Sequence, residues 1–141
     1  MFKRILVAYD GSAHSVAALE YALRMAETFE ATLWIVHAYP QTSDMLGYED
    51  FEKLVARRKA GGETVLKDAR QKVGDTTVEI TEDLIEGPEA EAILSVAKVR
   101  NIELIVMGTR GMGTLEGIMF GSVSRKVSNH SKCPVMLVPK N

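Results

Sequence analysis

The sequence predicts an α/β fold, an open, doubly wound parallel sheet of five strands with helices on both faces. Two observations lead there. Short continuous apolar runs at Ile5 to Ala8, Leu33 to Val36, Leu104 to Val106 and Val135 to Val138 are typical of strands buried on both faces. Between them lie segments with apolar residues at helical spacing, and strands that alternate with helices form a parallel sheet covered on both sides. At 141 residues the chain is expected to be a single domain, 1–141, large enough to bury a core without staples.

The elements follow in order. Strand one closes at Asp10-Gly11-Ser12, a turn and helix cap. Val16, Leu19, Leu23 and Ala26 then share one helical face, with Glu20, Arg24 and Glu27 elsewhere around the helix. Strand two is Leu33-Trp34-Ile35-Val36. The stretch 38 to 50 is polar and carries Pro40 and Gly47, so it reads as a cover over a ligand or as a variable surface loop. A helical pattern runs from Phe51 to Val73, where Gly61-Gly62 predicts a kink or break. Val78 and Ile80 alternate with Glu79 and Thr81, the pattern of a half-exposed edge strand. Pro88 is expected at the first position of the next helix, with Glu89 and Glu91 near the positive end of its dipole. A fourth strand, a glycine-rich loop, a last helix and a fifth strand between Pro134 and Pro139 complete the chain.

The chemistry lies between Ile102 and Lys126. The buried strand stops at Gly108; Gly111, Gly113 and Gly117 punctuate a loop that ends at Gly121-Ser122-Val123-Ser124, where Val123, Val127 and His130 begin a helical repeat. The first N–H groups of a helix have no internal partner and carry partial positive charge, so a phosphate satisfies both. Glycine lets the backbone approach a bulky anion, and the Ser122 and Ser124 hydroxyls can donate to its oxygens.

Two familiar phosphate loops are absent. There is no Gly-x-x-x-x-Gly-Lys-Ser/Thr, and the turn after strand one is not Gly-x-Gly-x-x-Gly. The spacing present is Gly108, two residues, Gly111, nine residues, Gly121, Ser122. Together with Ile5-Leu6-Val7-Ala8-Tyr9-Asp10-Gly11-Ser12, Val36-His37, Val106-Met107-Gly108 and Cys133-Pro134-Val135, it makes the whole chain resemble the universal stress protein family, in its ATP-binding branch.

The resemblance implies the strand order 3-2-1-4-5. In such a sheet ligands bind beyond the carboxyl ends of the strands where the order reverses, between strands one and four. It also implies ATP, with magnesium, as the cofactor. Ala8, Tyr9 and Asp10 would border the adenosine, with the Asp10 carboxylate near the ribose, the base or the metal ion. Ala38, after strand two, would offer backbone groups to the adenine, while Met107 and Gly108 would flank the ribose. Arg110, Gly111 and Met112 would lie along the loop toward the phosphates, and Gly121, Ser122, Val123 and Ser124 would hold them. Asp10 reads equally well as a cap or turn residue. The planar fork of Arg110 suits phosphate oxygens, and the positive charge of Arg125 and Lys126 in the first helical turn is what a bound polyphosphate would compensate.

His37 reads as a histidine satisfied within the fold, and His14, in the first turn of the first helix, is expected to be exposed. No nucleophile, base and orienting group come together. The expected function is a nucleotide-binding regulatory protein of the stress response, acting on an unknown protein partner, with slow magnesium-dependent ATP hydrolysis or phosphotransfer as the alternative.

A net charge of −2 and a pI near 5.9 give no sign of a nucleic-acid or anionic-membrane surface. No apolar run approaches the roughly 20 residues that span a bilayer, and no secretory leader is evident. The single cysteine, Cys133, suits a reducing cytoplasm, and it reads as a packing residue more readily than as a redox sensor or half of a zinc site with His130. Strand five is apolar on both faces. At a sheet edge it would be a pairing template, so a homodimer through antiparallel pairing of Val135 to Val138 is expected.

Overall fold

The computed structural model describes residues 1–43, 47–110 and 120–140. Its elements are β1 (Arg4–Ala8), α1 (Ala13–Phe29), β2 (Thr32–Tyr39), α2 (Tyr48–Val73), β3 (Ile80–Glu86), α3 (Glu89–Val99), β4 (Leu104–Gly108), α4 (Ser122–His130) and β5 (Val135–Val138). All five strands join one parallel sheet in the order β3-β2-β1-β4-β5, so the predicted fold and order are observed. The register sets Ala8 beside Val36, Val7 beside Val106 and Gly108 beside Val138.

Because side chains alternate along a strand, each central strand feeds two cores. Ile5, Val7 and Tyr9, with Leu33, Ile35, Leu104 and Val106, pack beneath α1 and α2 against Ala18, Leu19, Ala22, Leu66 and Ala69. Leu6 and Ala8, with Trp34, Val36, Ile105 and Met107, pack beneath α3 and α4 against Ala90, Ile93, Val96 and Val127. This two-sided burial is why the strands read as unbroken apolar runs.

Four local expectations are corrected. β2 continues to Tyr39, so Ala38 lies inside the strand, beside Ile85, and not after it. The third strand is Ile80–Glu86, later than the Val78–Ile80 alternation suggested, though it does form an edge and is half-exposed along most of its length. α2 passes through Gly61-Gly62 as one helix of 26 residues. The helix penalty of a glycine is only about 1 kcal/mol, and Gly62 has a packing reason: a Cβ there would lie 2.6 Å from Leu84 Cδ1 and 3.3 Å from His37 Cδ2. Pro88 is the N-cap of α3 (φ −64°, ψ 146°) and the helix starts at Glu89.

Candidate functional site at the reversal of strand order

β1 and β4 lie side by side while their connections leave in opposite directions, which opens a crevice beyond their carboxyl ends. From β1 the chain enters the tight turn Tyr9-Asp10-Gly11-Ser12. The Ser12 N–H donates to Asp10 Oδ1 at 2.9 Å, and Ser12 Oγ caps α1 by accepting from Ser15 N at 3.2 Å. Gly11 has φ +84°, a conformation that favours glycine. Asp10 therefore does serve the turn, the plainer of its two readings.

Tyr9 divides its roles. Its backbone belongs to the crevice wall, the N–H donating to Val36 O at 2.9 Å and the carbonyl lying 2.8 Å from His37 Nδ1. Its ring is buried beneath α1 and α2, and its hydroxyl donates to Asp68 of α2. Burial, then that carboxylate, push the Tyr9 hydroxyl well above its ordinary range, so it stays protonated. Any ligand contact by Tyr9 falls to its main chain. His37 is satisfied within the fold as predicted, and burial holds it below its usual range.

On the β4 side Gly108 has a role that sequence reasoning did not supply. A Cβ at this position would lie 2.6 Å from His14 Cβ, 2.8 Å from His14 C and 3.0 Å from His14 O. The glycine is needed so that the first turn of α1 can sit against the strand end. His14 is consequently half-buried, not exposed, with Nδ1 3.2 Å from Thr109 Oγ1.

Thr109 is the junction of the site. Its N–H donates to Val138 O of β5 at 3.1 Å, and its carbonyl accepts from Gly121 N at 2.8 Å and from Ser124 Oγ at 2.8 Å. The strand end and the head of α4 are thereby held together. Ser124 is 2 % exposed, and its hydroxyl also lies 3.0 Å from Gly121 O. Its hydroxyl serves the fold, which leaves its backbone N–H as the group it can offer a ligand. Gly121 caps α4 in an extended conformation with no side-chain hydrogen bond. The N–H groups of Ser122, Val123 and Ser124 are thus the first-turn donors that no carbonyl within the helix can satisfy.

Ala8 and Met107 are buried beneath α3 and α4, so they border the crevice through backbone. Arg110 is half-buried just past β4. Lys126, the fifth residue of α4 and so past its first turn, forms an ion pair with Glu91 of α3; Arg125 is exposed. Gly111 and Met112 lie outside the described residues. Glu89, heading α3, is held above the ordinary carboxyl range first by burial and then by the charge of Asp10. Among the described residues no group of three or more His, Cys, Asp and Glu could hold a metal ion. No described helix is long and apolar enough to cross a membrane.

The arrangement is that of a doubly wound α/β protein in which, among the described residues, no side chain caps the helix head beside the reversal of strand order. Comparison with known proteins goes one step further: the universal stress protein family matches residues 1–139, and the chain belongs to that family. It is 42% identical over 138 residues to a universal stress protein of Thermus aquaticus, covering 98% of this chain and 99% of the relative. The universal stress protein UspA from Lactobacillus plantarum superposes with a TM-score of 0.86 at 23% identity over 97% of both chains. A universal stress protein solved in complex with cAMP superposes with a TM-score of 0.75 at 28% identity, covering 99% of both chains.

Proposed function

We propose that this protein is a regulatory nucleotide-binding member of the family that holds an adenine nucleotide, ATP with magnesium, in the crevice between β1 and β4. The observation that carries the reading is the head of α4. Among the described residues no side chain caps the three consecutive N–H donors that follow Gly121, and Thr109 positions them beside the end of β4. The phosphates would take these donors, with Arg110, Gly111 and Met112 alongside. Met107 and Gly108 would flank the ribose, and Ala8, Tyr9 and Asp10 the adenosine. Ala38, within β2, would meet the adenine through its backbone. The related structure with bound cAMP shows an adenine nucleotide held by a protein of the same fold and family.

The Asp10 carboxylate suits magnesium, which is usually held by one or two protein carboxylates together with the ligand's phosphates. Magnesium there would neutralise phosphate charge. Hydrolysis has no comparable support: His37 directs its Nδ1 to Tyr9 O at 2.8 Å, within the fold. Regulation would act through a protein partner and through a homodimer formed by β5, an edge strand of the sheet whose Val135, Met136 and Leu137 are half-buried.

The test is to denature the purified protein, identify any released nucleotide by chromatography and mass, and measure ATP binding beside a Gly121→Val variant. Adenine nucleotide lost in the variant, and ATP that stays intact over hours, are the expected results. An unchanged affinity in Gly121→Val would remove the phosphates from α4.

A further inference from the structure

Three groups that are cationic or can become so lie at the head of α1 and just past the ends of β4 and β5, where Arg110 and Lys140 both act electrostatically on His14. His14 is fixed by the close approach of α1 to Gly108 and by its 3.2 Å contact with Thr109 Oγ1. Arg110 follows Thr109 directly. Lys140 lies two residues beyond Val138, whose carbonyl accepts the Thr109 N–H. His14 thus touches Thr109, the residue that also holds Gly121 and Ser124, while the chain brings Arg110 and Lys140 close to it. The ion pairs Arg70–Glu82, Lys72–Asp68, Arg100–Asp83 and Lys126–Glu91 join opposite charges, whereas this cluster gathers like charge around an imidazole. Among the groups acting on His14, Asp10 is the carboxylate that opposes Arg110 and Lys140.

From this juxtaposition, and resting on the nucleotide reading above, we infer that His14, Arg110 and Lys140 form a clamp for the terminal phosphates of a nucleoside polyphosphate, and that binding is accompanied by uptake of one proton on the His14 imidazole. In the ligand-free protein, burial, then Arg110 and Lys140, hold His14 below its ordinary range, with Asp10 acting the other way. The ring is largely neutral near neutral pH. A polyphosphate placed among these cations reverses the balance, because an adjacent anion favours the charged imidazolium. Protonation does not break the contact with Thr109, since a hydroxyl can donate to a neutral ring nitrogen or accept from a protonated one. Linkage then requires that acid strengthen nucleotide binding. The clamp thus favours nucleotides with more phosphate charge, and it makes their retention depend on pH.

The test is calorimetric titration of the full chain with ATP and with AMP, without added metal ion, in buffers of different ionisation enthalpy at about pH 6 and about pH 8. The nucleotide's own terminal phosphate titrates in this range, so the readout is the difference between the parent protein and His14→Gln. The parent is expected to take up more protons than the variant with ATP, and a smaller excess with AMP. Its ATP affinity should gain on the order of threefold to tenfold over the variant's between the higher and the lower pH. Independently of any variant, the His14 ring resonance of the parent should titrate at higher pH when ATP is bound. Equal proton uptake by parent and variant, or an unmoved His14 titration with ATP bound, overturns the inference and leaves the nucleotide reading standing. Failure of any nucleotide to bind, with magnesium added as well as without it, overturns both.

Discussion

The sharpest structural prediction concerns Gly108→Ala. The added methyl would lie 2.6 Å from His14 Cβ and 2.8 Å from the His14 carbonyl carbon, distances that real Cβ atoms essentially never show. Relief cannot come from rotating a side chain, because the nearest atoms are a Cβ and backbone. Either the head of α1 moves or the end of β4 does. α1 is anchored by buried Ala17, Ala18, Leu19, Ala22 and Ala26, and β4 is paired to β1 and β5. Overpacking ordinarily costs about 1–3 kcal/mol, and the rigid surroundings set this case near the top, at about 3 kcal/mol. For a chain of this size that corresponds to a fall in Tm of roughly 10 °C. Gly62→Ala is the control: its closest contact is the end of the Leu84 side chain, which can turn aside, and alanine favours the helix by about 1 kcal/mol. Its net change should stay within about 1 kcal/mol. Urea unfolding followed by Trp34 fluorescence and by far-ultraviolet circular dichroism measures both. A loss below about 1 kcal/mol for Gly108→Ala, or equal losses in the two variants, would refute the close-packing account of Gly108.

Three further outcomes are expected. Ser12→Ala removes the hydroxyl that accepts from Ser15 N and should cost about 1 kcal/mol in urea unfolding; an unchanged midpoint would mean that the cap contributes nothing. Glu89 is a carboxyl raised by burial and by Asp10, so its contribution to stability is fully present below the unfolded-state value and is lost as pH rises through the higher folded value. The stability of Glu89→Gln relative to the parent should therefore improve between about pH 3 and about pH 7, and a difference that does not vary with pH would contradict it. Leu137→Lys on the edge strand β5 should convert the proposed dimer to monomer or aggregate in light scattering, whereas an unchanged dimer would rule out pairing through β5.

The fold was legible because the periodicity is clean. Central strands such as Leu33–Val36 and Leu104–Val106 face two cores, and an apolar run bounded by turns leaves few alternatives. Gly121-Ser122 marked the head of α4 because a glycine before a helical repeat is a local signal. What stayed hidden depends on contacts between distant residues. Gly108 reads as a glycine beside a ligand and Gly62 as a break until His14 and Leu84 are seen against them. The Tyr9 ring lies under α2, and Ser124 Oγ bonds across to Thr109 O. None of these pairings leaves a trace in spacing along the chain. The resemblance proposed the crevice, and the structure shows that the side chains of Tyr9 and Ser124 are committed to the fold.

The most direct test of a nucleotide site between β1 and β4 is an amide NMR titration of the protein with ATP and magnesium. Shifts concentrated at Asp10, Thr109 and Arg110 and at Gly121 to Ser124, weakened in Gly121→Val, are the predicted result. Shifts confined to the opposite end of the sheet or to the surface between α1 and α2, around Val16, Leu23 and Lys72, or no shifts at all, would contradict the account.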